Sequence, residues 1–266
     1  MEVAIMLGLV VILAAGGLAA WRLLRGPAGA RWQAAGRLAL VALVAAGLVG
    51  WGSWQFSKQP TRQLFGGLVA RATAAEKVVA LTFDDGPTAS YTDEVLAILD
   101  REGVPATFFV VGEALARNPE ECRKIVAGGH ALGNHSYSHP VLMLKSYGTI
   151  RDEIERTDAL IRACGYEGEI YFRPPNGKKL LLLPYYLART GRTTVTWDLA
   201  PEWGPEGAAG ADEVVRQIVD EVQPGSIVLL HVMYRSRETS RQALPHVIHG
   251  LKEKGYRFVT IPKLLE

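Results

Sequence analysis

Residues 80–87 read "ALTFDDGP", so two carboxylates, Asp84 and Asp85, stand side by side where an apolar run gives way to Gly-Pro. Alone, Asp-Gly-Pro is ordinary turn chemistry. Residues 134–139, "NHSYSH", put His135 and His139 four apart. On a helix both imidazoles would share a face and reach one metal ion. Arg173 stands in "FRPPNG", before two prolines that stiffen the turn, and His231 closes the apolar run "SIVLLH". Together these types make a hydrolytic set. Two His and a carboxylate can hold a divalent cation with positions left for water. The second carboxylate can take the water's proton, and a His can protonate the leaving group. A fixed guanidinium can orient the base and keep its pKa low.

These groups must be delivered to one place by separate elements. From Lys77 onward, short apolar runs recur: "VVALTF" (78–83), "ATFFVVG" (106–112), "ALGNH" (131–135), "IYFRPP" (170–175), "TTVTWDL" (193–199), "SIVLLHV" (226–232) and "RFVTI" (257–261). Helical patterns lie between most of them, as in "TDEVLAILDREG" (92–103) and "TIRDEIERTDALIRACG" (149–165). This alternation predicts a parallel sheet with helices outside. About seven strands suit an α/β fold built as a distorted, incomplete (β/α) barrel, with a doubly wound open sheet as the other choice. In both, functional groups collect at strand C-terminal ends, where Asp84, Asp85, His135, Arg173, Asp198 and His231 all fall.

The formal net charge of +2 over 266 residues gives no case for a nucleic-acid partner. Two stretches, 3–20 and 38–56, carry no charge and are each about long enough to cross a bilayer. They predict a membrane anchor of two transmembrane helices over 1–56, followed by a linker over 57–76 and a catalytic domain over 77–266. The connection between the spans carries Arg22, Arg25, Arg31 and Arg37 and no acid. The positive-inside rule makes that loop cytoplasmic, which puts the catalytic domain on the extracytoplasmic side of the cell membrane. Cys122 and Cys164 fit no metal-ligand spacing and are read as structural or free thiols able to form a disulfide outside the cytoplasm.

The blocks, in this order, resemble the polysaccharide deacetylase family with the NodB homology domain, across about residues 77–266. "TFDDGP" is similar to its first motif, which implies Asp84 as general base and Asp85 as a metal ligand. "HSYSH" resembles the second, which implies His135 and His139 as the other ligands. "RPPNG" resembles the third, whose Arg, here Arg173, orients the base and whose following backbone helps form an oxyanion hole. "LLH" resembles the fifth and implies His231 as general acid. The resemblance implies a divalent cofactor, zinc first, with cobalt, nickel or manganese as alternatives. It also implies an acetylated polysaccharide as substrate and hydrolysis of its N-acetyl groups, with release of acetate.

Three blocks depart from the family pattern; in the fifth, Val232 follows His231 where an Asp is common. Asn176 stands where the third motif usually has an aromatic residue, so Asn176 is a substrate-binding position whose aromatic wall is altered. The fourth block, "TWDLAPEW", leaves either Asp198 or Glu202 to partner Arg173, and it offers Trp203 to stack on a sugar. The same site would serve an O-acetyl esterase, and the altered fourth block would suit a catalytically impaired glycan-binding scaffold. Lys178 and Lys179, after the third block, are predicted to be a solvated helix start.

Overall fold

The computed structural model describes residues 28–202 and 210–266. Helix α1 spans Ala28–Ser57. Within it, Ala35–Ser57 is 23 residues long, has mean hydropathy 1.7 and is not buried. Among the described residues it is the one helix long and apolar enough to cross a membrane. The expected span 38–56 falls inside it. The expected span 3–20, with Arg22 and Arg25, lies outside the described residues. Two expected transmembrane helices are therefore represented here by one apolar helix.

The chain divides into two compact units, the second being Phe56–Glu266. That unit begins some twenty residues before the expected domain start. Residues 57–76, read as a linker, carry strand β1 (Leu68–Val69), which pairs in parallel with β5 (Thr194–Val195). The reason is local: a short apolar pair finds a free strand edge, where its backbone groups gain ladder hydrogen bonds.

The central sheet is parallel, in the order β4 (Ala131–Asn134), β3 (Thr107–Val110), β2 (Val78–Asp84), β6 (Ser226–His231), with β7 (Arg257–Phe258) on the first residues of β2. Single parallel bridges carry the curl onward. Phe172 bridges Asn134 and Thr194, and Leu199 bridges Val228. One chain segment, 194–199, thus meets both open sides of the sheet, which makes an incomplete barrel. The expected strand over 170–175 is reduced to the Phe172 bridge, because the prolines that follow have no N–H to extend it.

β2 is buried from Val79 to Asp84, as a strand covered on both faces must be. Its side chains alternate. Val79, Leu81 and Phe83 join the outer core, which also takes Val95 and Leu99 of α2 (Thr92–Glu102), Val214 and Ile218 of α7 (Ala211–Glu221), and Leu244 and Val247 of α8 (Glu238–Glu253). Ala80 joins an inner core with Phe109, Val195, Trp197, Ile227 and Leu229. By the same alternation Thr82 and Asp84 face inward with Ala80, and His231 faces inward with Ile227 and Leu229.

Cys122 of α4 (Pro119–Ala127) and Cys164, at the end of α5 (Tyr147–Ala163), form a disulfide with a Cα–Cα distance of 5.8 Å. The two thiols are thus structural.

Candidate active site

Parallel register brings the strand ends level. Asp84 pairs with Phe109 on one side and with His231 on the other. Val110 pairs with Asn134, which hands on to His135, and the N–H of Arg173 donates to Asn134 O at 2.9 Å. Four sequence-distant groups, Asp84, His135, Arg173 and His231, therefore meet at one end of the sheet for a topological reason.

Asp84 and Asp85 diverge, though not by strand alternation. β2 ends at Asp84, and Asp85 has φ 72°, in the left-handed region. Gly86 continues the turn with φ 74°, and a Cβ there would stand 2.6 Å from Met233 Cγ, so only glycine fits. Asp84 remains in the barrel interior while Asp85 is turned toward the histidines.

The "NHSYSH" stretch is a loop rather than the helix that would have explained its spacing. Ser136 and His139 have φ 66° and 55°. Asn134 Oδ1 accepts the Ser136 N–H at 2.8 Å, and Ser136 Oγ accepts the His139 N–H at 3.1 Å. Glu153 of α5 accepts the N–H groups of Tyr137 and Ser138 at 2.9 and 2.8 Å. These bonds fold the loop so that the two imidazole centroids are 4.9 Å apart.

One ligand atom from each of Asp85, His135 and His139 lies within 4.8 Å of the others. His139 Nε2 is 3.6 Å from Asp85 Oδ1. His135 Nδ1 donates to the Arg173 carbonyl at 2.8 Å, a role that leaves Nε2 of the neutral ring as a lone pair for a cation. Burial, then the neighbouring His135, lowers the His139 pKa, which favours the neutral ring a metal needs. Two imidazoles and one carboxylate fit a borderline divalent cation with open positions.

Arg173 is fully buried in the inner core. Its Nη1 donates to Asp84 Oδ1 at 2.6 Å and to Thr82 Oγ1 at 2.9 Å, and its Nη2 donates to Thr196 O at 2.9 Å. Its guanidinium stacks on the Phe109 ring at 3.9 Å. Burial alone would raise the Asp84 pKa, but Arg173 and nearby histidines hold it below the usual carboxylate value. With Oδ1 held by Arg173, Oδ2 faces His135 Nε2 at 3.5 Å.

The expected partner for Arg173 in the fourth block is overturned: neither Asp198 nor Glu202 binds it, and Asp84 takes that place directly. Trp197 packs in the inner core, so alternation turns Asp198 the other way, where it accepts from Ser226 Oγ at 2.8 Å and Ile227 N at 2.7 Å. Glu202 goes to His231. Its Oε2 is 3.0 Å from His231 Nδ1 and accepts the His231 N–H at 3.0 Å, while Ser240 donates to Oε1. Burial works against the His231 cation, but Glu202 and the Asp84 and Asp85 charges raise its pKa overall. Glu202 thus serves His231 and not Arg173; it lies in the turn beyond the 194–199 segment, where strand alternation from Trp197 no longer sets direction.

Pro175–Gly177 make a single turn, with half-buried Asn176 at φ 55° and Gly177 at φ 63°, where a Cβ would meet the Trp197 ring at 3.0 Å. Trp203 lies outside the described residues. Lys179, predicted to be solvated, is buried.

Fold and site together define a hydrolytic centre, suited to a divalent metal, at the open end of an incomplete barrel. Residues 71–195 match the family model described as polysaccharide deacetylase. The chain is 33% identical over 192 residues to peptidoglycan-N-acetylmuramic acid deacetylase PdaA of Bacillus subtilis (strain 168), covering 71% of this chain and 72% of that one. It is 34% identical over 199 residues to a chitooligosaccharide deacetylase of Bradyrhizobium sp. (strain ANU 289), covering 70% and 90%. A crystal structure of the Bc1960 peptidoglycan N-acetylglucosamine deacetylase superposes with TM-score 0.70 at 31% identity, covering 74% of this chain and 92% of that one. The chain belongs to the polysaccharide deacetylase family and is a hydrolase of that class.

Proposed function

We propose that this chain removes N-acetyl groups from a cell-wall glycan of the N-acetylglucosamine type, releasing acetate. We further propose that it does so from a membrane anchor with its catalytic unit outside the cytoplasm. The names of its relatives support the substrate class. The apolar helix Ala35–Ser57 and the Cys122–Cys164 disulfide support the location.

Asp85, His135 and His139 would hold the metal, zinc first. When bound, such a cation supplies Lewis-acid polarisation and eases deprotonation of water. The chain's own residues do the rest. Asp84 Oδ2 takes the proton of the attacking water, and Arg173 fixes the carboxylate and keeps it ionised between turnovers. Pro174 and Pro175 have no N–H, and the N–H groups of Gly177 and Lys178 are taken by Pro174 O and Pro175 O, so the Asn176 N–H is the backbone donor after Arg173 that would meet the developing oxyanion. His231 gives its proton to the leaving amine nitrogen, and Glu202 on Nδ1 keeps the ring oriented and cationic beforehand. Asn176 and Trp203 would flank the sugar.

The observation that carries this reading is the division of the acid pair, with Asp84 clamped by Arg173 at 2.6 Å and Asp85 within 4.8 Å of both histidine ligand atoms. The altered fourth block had put the base side in doubt; Asp84 on Arg173 and Glu202 on His231 give each side a partner, which favours a catalyst over a glycan-binding scaffold. The test is acetate release by the full chain from N-acetylated chitooligosaccharides and peptidoglycan, against O-acetylated xylan, before and after chelation and zinc return. N-acetylated substrates should dominate, chelator should stop release, and zinc should restore it. Preference for xylan would make the protein an O-acetyl esterase.

A further inference from the structure

Lys179 follows the Pro175–Gly177 turn by two residues and is only 1% exposed. Burying an ammonium is costly unless hydrogen bonds replace its water. Here Nζ donates to Gln59 O at 2.7 Å and to Gly177 O at 3.4 Å. The backbone N–H of Lys179 donates to Ser57 O at 3.0 Å. One residue beyond Gln59, Pro60 O accepts the Thr196 hydroxyl at 2.6 Å. The carbonyl of that same Thr196 accepts Arg173 Nη2. Residues 57–60 are therefore bonded on one side to the turn after Arg173 and on the other to a residue that fixes Arg173.

We propose that Ser57–Pro60 form a strap that positions the active site, acting through Lys179 and Thr196. Lys179 is a positioning residue for the backbone of the Asn176–Gly177 turn, and Thr196 is one for Arg173. The physical case rests on what each bond constrains. A peptide unit is planar, so holding Gly177 O fixes the orientation of the Gly177–Lys178 peptide and of the left-handed turn leading into it. A neutral side chain at Lys179 would leave Gln59 O and Gly177 O without that shared donor, and buried carbonyls seek other partners by moving. Thr196 Oγ1 is likewise the link between Pro60 and the strand position whose carbonyl faces Arg173. Catalytic groups tolerate displacements of well under an ångström. The strap begins on Ser57, the last residue of the apolar helix, so the site's geometry depends on residues outside its motifs.

The test compares full-length wild type with Lys179→Met, Thr196→Val, Thr196→Ser and a single Gly inserted between Gln59 and Pro60. Initial rates of acetate release from chitooligosaccharide and zinc content per chain are measured for each. Lys179→Met, Thr196→Val and the insertion should each lower kcat about tenfold, the effect of roughly one lost positioning bond. KM should change less than twofold and zinc content should stay at the wild-type level. Thr196→Ser, which keeps the hydroxyl, should recover most of the rate. Wild-type kcat in Thr196→Val and the insertion overturns the proposal. So does a loss of rate that tracks a loss of zinc, or one that Thr196→Ser fails to recover, since each marks a general structural defect. Should Lys179→Met fail to fold, the Thr196 pair and the insertion decide alone.

Discussion

In the proposed mechanism the two proton-handling sides of the site are built differently. On the base side, Asp84 sits inside the barrel and is held by Arg173, whose guanidinium is itself fixed by Thr82, the Thr196 carbonyl and the Phe109 ring. On the acid side, His231 sits at the rim and is held by one carboxylate, Glu202, which takes Ser240 and, at 3.9 Å, Arg237 from outside the barrel. The base is fixed by core packing, where one change leaves a buried charge unpaired. The acid is fixed by a side chain of the 199–202 segment, which can vary while the barrel stands. The difference teaches why the first motif reads plainly and the fourth does not.

The comparison can be broken most forcefully at Arg173. Arg173→Met leaves Asp84 buried without its partner and should cost about 3–5 kcal/mol of stability, read by denaturant unfolding of the full chain. A cost below 1 kcal/mol would mean that the base side is not core-locked.

The metal-side loop rests on α5, which the Cys122–Cys164 disulfide ties to α4 across 42 residues. Cys122→Ser should lower stability by about 2–5 kcal/mol, with the same zinc content once folded. Zinc loss without a stability change would show that the bridge serves the site rather than the scaffold.

The acid side should respond in pH rather than in stability. The His231 pKa is raised from 6.5, so the protonated acid persists above that value and is lost as pH rises through the folded pKa. Any stability from this pairing follows the same sign: it is complete below 6.5 and fades on the alkaline side. Glu202→Gln should shift the alkaline limb of kcat/KM to lower pH, with the acid limb unmoved. Ser240→Ala should shift the same limb by a smaller amount. A shift of the acid limb instead would assign Glu202 to the base side.

Much of this was legible in sequence because it is local. "FDDGP", "HSYSH", "FRPPNG" and "VLLH" each pair a functional residue with the turn or strand end that exposes it, and parallel topology does the rest. What was hidden depends on orientation across elements. Asp198 is turned outward beside the inward ring of Trp197, whereas Glu202 lies past the 194–199 segment in a turn that carries it to His231, a direction that alternation does not reveal. The ligand atoms of His135 and His139 converge by left-handed loop residues, a conformation that the four-residue spacing does not reveal. The second lysine of "NGKK" reads as solvated because its acceptors, Gln59 and Gly177, include a residue 120 positions away.

The central claim is that adjacent acids hold separate duties, Asp85 for the metal and Asp84 for the proton. The most direct measurement is zinc per chain, with acetate release, for full-length Asp84→Asn beside Asp85→Ala. Asp84→Asn should keep one zinc per chain while its turnover falls by a factor of about 10² to 10⁴. Asp85→Ala should lose zinc and turnover together. Zinc lost from Asp84→Asn, or turnover kept by it, would contradict the assignment.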